Sequence, residues 1–213
     1  TLRAINCIVN RDGSLHGDNT DARGLEMDLR EAELDLSGRL AVIIGAGGAA
    51  AAGLLAVLRL GAARVALCNR TPQRAVRMAR RFGHVLAAYG LSREVIEARG
   101  LDSLRDADLI GAAAAVINAT PMGLKTGGFV EIAYQAAPAD CLFYDMVYAR
   151  EPTPFLAPAI ARGLRSLDGA GMLANQGALA FELFNGLAPP AGTMRGALMA
   201  ALGRSELPVK QSV

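Results

Sequence analysis

A glycine-rich hexapeptide is the first segment of the chain whose residue types suit a ligand site. The segment Gly45-Ala46-Gly47-Gly48-Ala49-Ala50 matches the pattern G-x-G-x-x-[G/A]. In that pattern Gly45 permits a tight turn, Gly47 lets the backbone approach a pyrophosphate, and Ala50 allows a helix to pack closely on a strand. Free N–H groups at the start of the helix then favour an anion. We therefore expect residues 45–49 to bind the phosphates of a dinucleotide.

A second motif indicates which dinucleotide is bound. About 20 residues past the glycines, NAD-binding folds place an acidic residue that accepts from the ribose 2′-hydroxyl. Here that place holds Asn69-Arg70-Thr71, with Arg74 one turn later. Two guanidinium groups and a hydroxyl suit a 2′-phosphate, so the sequence predicts NADP. The remaining basic residues of this segment are interpreted as a solvated helix face: Arg77, Arg80 and Arg81.

Three more turns with small or methionine residues follow apolar runs. They are Asn118-Ala119-Thr120-Pro121-Met122-Gly123, Asp145-Met146-Val147-Tyr148 and Gly169-Ala170-Gly171-Met172. The carboxyl ends of parallel strands form the crevice in which open α/β sheets bind ligands. We expect a nicotinamide ring to lie against the backbone at this edge.

Strands and helices must alternate along the chain to bring these turns together. Short apolar runs alternating with helix-length segments predict an α/β fold with a doubly wound parallel sheet. Six strands are predicted, at residues 39–44, 64–68, 85–88, 115–118, 142–145 and 164–168. Helices between them are predicted at residues 49–58, 72–82, 92–98 and 154–162. The second and the fourth begin at the proline of a Thr-Pro pair, which is typical of helix starts. Residues 36–168 are predicted to form an NADP-binding Rossmann domain, flanked by residues 1–35 and 169–213 of a substrate domain.

The two flanks have their own predicted elements. Residues 3–9 and 14–18 surround Asn10-Arg11-Asp12-Gly13, which predicts a β-hairpin with an Asp-Gly turn. A lone hairpin is marginally stable, so we expect it to lie on a sheet formed by strands outside this chain, or at the edge of the main sheet. A helix is predicted over residues 20–34 with Thr20 or Asp21 at its N-cap. Two helices are predicted at 171–185 and 193–202, with a frayed tail at 205–213.

Composition excludes several classes of protein. The chain has 213 residues, is 52% hydrophobic and carries a net charge of +2, which fits a folded globular protein and not a general nucleic-acid binder. Residues 40–58 are uncharged, but their glycines predict strand, turn and helix instead of a membrane span. Cys7, Cys68 and Cys141 are predicted to be buried, reduced thiols of a cytoplasmic protein. With two histidines and no CxxC pattern, no metal site is expected.

Seven motifs in order resemble one family. They are NTD at 19–21, GAGGAA at 45–50, NRT at 69–71, NATPMG at 118–123, YDMVY at 144–148, PTPFL at 152–156 and GMLANQGALAFELF at 171–184. Together they resemble the shikimate dehydrogenases, NADP-dependent enzymes that reduce 3-dehydroshikimate to shikimate. The resemblance covers nearly the whole chain, with Cys7 standing where the family usually has Thr and residues 88–105 longer than usual.

The resemblance implies roles for individual residues. It implies that Asn6, Asp21 and Gln176 contact the substrate, with Tyr148 nearby, and that Asp21 belongs to the catalytic pair. It places the cofactor against the glycine turn and the Asn-Arg-Thr motif, with Asn118 and Thr120 in the adjoining loop. Met146 and Gly169 are expected to flank the nicotinamide, with Met172 close by. For Asp21, its residue type and position alone favour a helix N-cap.

The resemblance also implies an incomplete catalytic pair. The family begins with a segment that carries two serines and a catalytic lysine, and we expect this chain to lack it, because Lys125 and Lys210 do not match that lysine's position. Two alternatives follow: a relative that oxidises quinate, or a catalytically incomplete NADP-binding fragment. A monomer and a homodimer are both left open, with a small-molecule substrate and no nucleic-acid or membrane partner.

Overall fold

A computed structural model describes residues 4–123 and 128–204. Lys125, Lys210 and the predicted tail at 205–213 lie outside these residues. The strands are β1 Cys7–Arg11, β2 Ser14–Asp18, β3 Leu40–Ile44, β4 Arg64–Cys68, β5 Ile96–Arg99, β6 Ala113–Asn118, β7 Leu142–Asp145 and β8 Arg165–Asp168. The helices are α1 Asp21–Glu31, α2 Gly48–Arg59, α3 Pro72–Arg81, α4 Gly83–Ala88, α5 Ala107–Gly111, α6 Ala157–Ala161, α7 Ala170–Asn185 and α8 Thr193–Leu202.

The last six of these strands form one parallel sheet in the order β5-β4-β3-β6-β7-β8. The order reverses between β3 and β6, which is where a doubly wound sheet opens its ligand crevice. β3 and β6 are buried along their whole length, as expected for strands covered by helices on both faces. The predicted α/β fold with a doubly wound parallel sheet is confirmed.

Two adjacent predictions about secondary structure were wrong. Residues 85–88, predicted as a strand, belong to helix α4, and residues 92–98, predicted as a helix, form a short 3₁₀ turn followed by β5. A four-residue apolar run such as 85–88 does not distinguish a buried strand from a buried helix. β5 is an edge strand in which only Ile96 is buried. Its other residues include Glu97 and Arg99, and such charged residues are good helix formers, so the segment had the composition of a helix.

The predicted hairpin forms, with shifted bounds. Asp12 and Gly13 have φ values of +52° and +85°, as a two-residue type I′ turn requires. Its first strand runs from Cys7 to Arg11, where residues 3–9 were predicted. Within the described residues β1 and β2 pair only with each other, so the pairing of this hairpin with further strands stays a prediction. Ile8 and Leu15 are 55% and 74% exposed on it.

Other bounds also moved by a few residues. Helix α1 ends at Glu31 instead of residue 34, and α6 begins at Ala157 instead of residue 154. Before α6, Thr153 donates its hydroxyl to a buried carboxylate and accepts from the Leu156 N–H at 3.3 Å, as a helix-capping residue does. All three cysteines are buried and free, as predicted.

Residues 40–58 form β3, a turn and α2, as the glycines predict. In residues 4–123 and 128–204, no helix is long and apolar enough to cross a bilayer. The same residues contain no group of three or more His, Cys, Asp or Glu side chains that could hold a metal ion.

Helices α1 and α7 pack against each other through two glycines. A Cβ on Gly24 would overlap the backbone of Gln176, and one on Gly171 would overlap the carboxylate of Asp28. That carboxylate is buried and accepts a hydrogen bond from the Tyr144 hydroxyl at 2.6 Å. The close approach holds the start of α1 and the middle of α7 at fixed positions relative to the sheet.

Candidate functional site

The glycine turn lies at the switch point of the sheet, directly after β3. Gly45 has a φ of +123° and donates its N–H to the Cys68 carbonyl at 2.8 Å. A Cβ on Gly45 would approach the Ala119 carbonyl to 3.0 Å, so a side chain is excluded on two grounds. The turn therefore keeps the loops after β3 and β6 in close contact.

The space in front of α2 suits a phosphate group. Gly47 is exposed, and a Cβ built on it would meet nothing within 4 Å, so a ligand can approach its backbone. The next two residues, Gly48 and Ala49, are exposed in the first turn of α2, which contains no acidic residue. Ala46 is half-buried against the core and Ala50 is fully buried. Exposed N–H groups and the helix dipole make this end of α2 attractive to an anion.

The basic motif follows β4, the strand next to β3. The Asn69 side chain donates to the Thr71 carbonyl at 2.8 Å and shapes the turn into α3. Arg70, Thr71 and Arg74 are exposed, and the Arg74 N–H donates to the Thr71 carbonyl at 2.9 Å. The ion pairs between described residues do not involve Arg70 or Arg74, and no acidic residue stands between Cys68 and Arg81. Both guanidinium groups are therefore available to a phosphate.

The solvated basic face predicted on α3 is only partly present. Arg77 and Arg80 are exposed, as predicted for that face. Arg81 was placed there wrongly: it is half-buried, and its Nε has no hydrogen-bond partner among the described residues. It is the last residue of α3, directly before the short helix α4.

A buried polar network fixes the loop after β6. Asn118 is fully buried, and its side-chain oxygen accepts from the Thr120 N–H at 3.1 Å and hydroxyl at 2.7 Å. Its Nδ2 donates to Asp145 Oδ1 at 2.9 Å, on the neighbouring strand. The Thr120 hydroxyl in turn accepts from the Met122 N–H at 3.3 Å. Asn118 therefore acts on the crevice by shaping its loop, while the half-buried Thr120 lies at its surface.

Asp145 joins three segments at the carboxyl ends of the strands. Its Oδ1 also accepts from the Val147 N–H at 3.1 Å, and its Oδ2 accepts from the Thr153 hydroxyl at 2.6 Å. Burial raises the pKa of this carboxyl, the three donors oppose that shift, and the nearby Asp168 carboxylate adds to it. No motif in the sequence indicates this role, because it depends on Thr153, eight residues away.

The raised pKa of Asp145 predicts how stability changes with pH. Since the folded state holds this proton more tightly than the unfolded chain, the stability it contributes is complete below the unfolded pKa of about 3.9. That contribution is lost as the pH rises through the raised folded pKa. Asp145→Asn removes the loss, because an amide does not titrate and its oxygen still accepts from Asn118 and Val147. Denaturant titrations should show the variant gaining in unfolding free energy over wild type between about pH 4 and pH 7.

The control for this experiment is Glu182→Gln, which removes one negative charge from an exposed position on α7. Near pH 4 the Asp145→Asn protein should lie within about 1 kcal/mol of wild type, because the amide oxygen keeps the bonds from Asn118 and Val147 and the amide N–H can donate to the Thr153 hydroxyl oxygen. The assignment would be contradicted if the difference in unfolding free energy between Asp145→Asn and wild type stayed constant with pH, or if wild type gained stability over the variant as the pH rose.

The predicted nicotinamide-side residues lie close together. Met146 follows β7, is half-buried, and donates its N–H to the Asn118 carbonyl at 2.9 Å. Gly169 follows β8, and a Cβ there would overlap the Met146 backbone. Met172 is buried in the first turn of α7. The loops after β6, β7 and β8 thus meet at one edge of the sheet.

The predicted substrate residues form a hydrogen-bonded cluster. Asn6 Nδ2 donates to Asp21 Oδ1 at 2.8 Å and to Thr20 Oγ1 at 2.9 Å, and it lies 3.4 Å from Gln176 Oε1. The Thr20 hydroxyl donates to the same Gln176 oxygen at 3.1 Å. Residues separated by as many as 170 positions are therefore brought together.

Thr20 is the member of the cluster that sequence reasoning assigned only to capping. It precedes α1, but its backbone is helical and its side chain makes no capping hydrogen bond. Asp21 is the first residue of α1 and not its cap. Its Oδ1 accepts from Asn6, and its Oδ2 has no hydrogen-bond partner among the described residues. The position of Thr20 within the NTD motif was the signal that could have identified it.

The cluster lies beside the glycine turn. The Asn19 side chain donates to the Ala4 carbonyl at 3.1 Å, and the Ala4 methyl lies 3.7 Å from the position of a Cβ on Gly48. Tyr148 stands in the loop after β7 and is 42% exposed, and no hydrogen bond among the described residues joins it to the cluster. One side of the crevice is thus suited to phosphates and the other to a ligand with several hydroxyl groups.

Comparisons with known proteins agree on one family. Residues 169–199 match a family model described as the Shikimate 5'-dehydrogenase C-terminal domain. The chain is 40% identical over 193 residues to the shikimate dehydrogenase (NADP(+)) of Sphingopyxis alaskensis, covering 90% of this chain and 64% of that protein. It is 39% identical over 209 residues to the enzyme of the same name from Moorella thermoacetica, covering 96% and 68%. This chain therefore spans about two thirds of the length of these relatives.

Solved structures of a shikimate dehydrogenase and of a quinate dehydrogenase are also similar to this chain. The shikimate 5-dehydrogenase of Thermus thermophilus, in complex with NADP(H) and shikimate, has a TM-score of 0.73 and 35% identity, covering 94% of this chain and 69% of that one. The quinate dehydrogenase of Corynebacterium glutamicum, in complex with NAD, has a TM-score of 0.77 and 31% identity, covering 93% and 68%.

Proposed function

This chain belongs to the shikimate dehydrogenase family, and we propose that it provides the NADP site and part of the substrate site of an NADP-dependent dehydrogenase. The proposed reaction interconverts 3-dehydroshikimate and shikimate, a step of aromatic amino acid (chorismate) biosynthesis, in the cytoplasm. The observation that carries this proposal is the Asn6–Thr20–Asp21–Gln176 cluster beside a glycine turn that faces open space. Hydroxyl-binding groups and a phosphate site in one crevice are what such a reaction requires.

The residues of this chain have distinct proposed tasks. When bound, NADP exchanges a hydride with the substrate carbon, so the protein must manage the proton on the substrate oxygen. Asp21 is held by Asn6 at one oxygen and offers the other for a proton or for a charged partner. Asn6 and Gln176 have the amide groups to orient the hydroxyls, and Tyr148, exposed in the loop after β7, is proposed to line the pocket.

The cofactor site is assigned to the residues around the switch point. Gly45, Ala46, Gly47, Gly48 and Ala49 would receive the pyrophosphate, and Asn69, Arg70, Thr71 and Arg74 the adenosine with its 2′-phosphate. Asn118, Thr120, Met146, Gly169 and Met172 would form the nicotinamide side.

Two other functions follow from specific observations. Similarity to a quinate dehydrogenase bound to NAD makes quinate the second candidate substrate. The glycine turn and the exposed Arg70 and Arg74 could bind NADP without any turnover of substrate, so an NADP-binding protein without turnover is the other candidate.

The deciding experiment measures rates and binding on the protein expressed from its complete gene. Shikimate and quinate are each offered with NADP and with NAD, and the reduced cofactor is followed by its absorbance. We expect the highest kcat/KM with shikimate and NADP. Faster turnover of quinate would favour the first alternative, and tight binding of NADPH without turnover would favour the second.

A further inference from the structure

Arg204 connects the C-terminal helix to the edge of the sheet. Helix α8 ends at Leu202, the following Gly203 has a left-handed φ of +64°, and the Arg204 N–H donates to the Met199 carbonyl at 3.0 Å. This arrangement is a Schellman-type helix end, which fixes the direction of the following residue. The guanidinium Nη1 then donates to Asp168 Oδ2 at 2.6 Å and to the Ala149 carbonyl at 2.9 Å.

The two groups that Arg204 holds belong to two of the three loops of the proposed nicotinamide side, those after β7 and β8. Asp168 ends β8 and is followed by Gly169, whereas Ala149 lies three residues after Met146 in the loop after β7. The loops are already close, since the Gly169 N–H donates to the Val147 carbonyl at 3.2 Å. One guanidinium therefore ties both sides of this gap together.

The pair is shielded from water. The side chains of Arg204 and Asp168 are 12% and 9% exposed, so solvent screens their attraction weakly. The other Asp168 oxygen accepts from the Ala170 N–H at 3.3 Å, at the start of the helix that carries Gln176. Asp145 is the register partner of Asp168 on β7, so an unpaired Asp168 carboxylate would lie beside a second buried one. Removing one member of such a pair is strongly destabilising.

We propose that Arg204 is a positioning residue for the dehydrogenase reaction, setting the spacing between the Met146 loop and the Gly169 turn. In this proposal Arg204 contacts neither the substrate nor the nicotinamide, and it acts through Asp168 and the Ala149 carbonyl. The inference rests on the proposed function. Misplacement of reacting groups by about 1 Å can cost roughly 100-fold in rate, so a link of this kind affects kcat more than binding.

The test uses four variants of the protein expressed from its complete gene. Arg204→Met removes both hydrogen bonds and keeps an apolar stem, and Arg204→Lys keeps the charge. The double variant Arg204→Met with Asp168→Asn removes the unpaired carboxylate, but it does not restore the link to Ala149. Arg64→Met is the control, an exposed arginine at the start of β4, four strands away from β8 in the sheet. Each is measured for kcat, KM for shikimate, dissociation constant for NADPH, and unfolding midpoint.

The expected pattern separates positioning from stability. Arg204→Met should lower kcat roughly 10- to 100-fold, with KM and the NADPH constant within about threefold of wild type. Its unfolding midpoint should fall, and the double variant should regain that midpoint while remaining slow. Arg204→Lys should recover part of kcat, and Arg64→Met should match wild type.

Three outcomes would overturn the proposal. Wild-type kcat in Arg204→Met would remove the role, and so would recovery of kcat together with the midpoint in the double variant. If the wild-type protein binds NADPH but does not turn over shikimate, the proposed function is wrong, and the positioning role of Arg204 is wrong with it.

Discussion

Asp21→Asn should lower kcat for shikimate roughly 10²- to 10⁴-fold in the protein expressed from its complete gene. The amide keeps the hydrogen bond from Asn6 Nδ2, which now spans 2.8 Å, because its oxygen can replace Oδ1. It carries no negative charge, so it neither accepts a proton readily nor stabilises a cationic partner. The loss should therefore fall on the chemical step.

Binding measurements distinguish this loss from a damaged fold. The affinity for NADPH should stay within about threefold of wild type, because Asp21 lies on the proposed substrate side of the crevice, in the cluster with Thr20 and Gln176. The matched control is Asp12→Asn, which removes a carboxylate at the exposed hairpin turn. Its φ of +52° is one that Asn tolerates. An unchanged rate in Asp21→Asn would remove Asp21 from its proposed role.

The sequence was most informative where one local rule decides the structure. Gly45 needs a left-handed φ, and Thr71-Pro72 starts a helix at its second residue, so the glycine turn and the start of α3 could be placed from residue types alone. The type I′ turn at Asp12-Gly13 is a third example. At the two turns a positive φ excludes nearly all other residues, and at α3 the fixed φ of Pro72 suits the first helical position.

Sequence reasoning failed where tertiary contacts decide the structure. Residues 85–88 have the apolar composition of a strand, yet Val85 and Leu86 pack as part of a helix because β5 supplies the edge of the sheet instead. The buried polar groups were missed for the same reason. Asp28 meets Tyr144, 116 residues away, and Asp168 meets Arg204, 36 residues away, and no periodicity or spacing records such pairs.

The proposed substrate residues were predicted by a different route. Asn6, Asp21 and Gln176 were selected because the motifs around them resemble those of a family, and for Asp21 the residue type and position alone favoured a helix N-cap. The fold brings them within hydrogen-bond distance through the close packing of α1 on α7, which Gly24 and Gly171 permit. Here the resemblance supplied long-range information that single residues lack.

The choice of cofactor gives the second large expected effect. Arg70→Gln with Arg74→Gln should weaken NADPH binding by roughly 100-fold or more, because each charge-assisted hydrogen bond to a phosphate contributes about 1.5–3 kcal/mol. NADH lacks the 2′-phosphate, so its affinity should change by less than about threefold. In this proposal the two exposed arginines would determine selectivity, while the glycine turn would provide the binding that both cofactors share.

A matched charge loss on the same helix separates this effect from long-range attraction. Arg77→Gln with Arg80→Gln removes two exposed positive charges from α3, and a specific 2′-phosphate site predicts little change in NADPH affinity. Titrations at low and high salt sharpen the comparison, since screening weakens diffuse attraction between exposed charges more than direct contacts. Equal losses of NADPH and NADH in the first variant, or an equal loss of NADPH in the second, would show that Arg70 and Arg74 do not read the 2′-phosphate. The absence of any acidic residue between Cys68 and Arg81 would then need another cause.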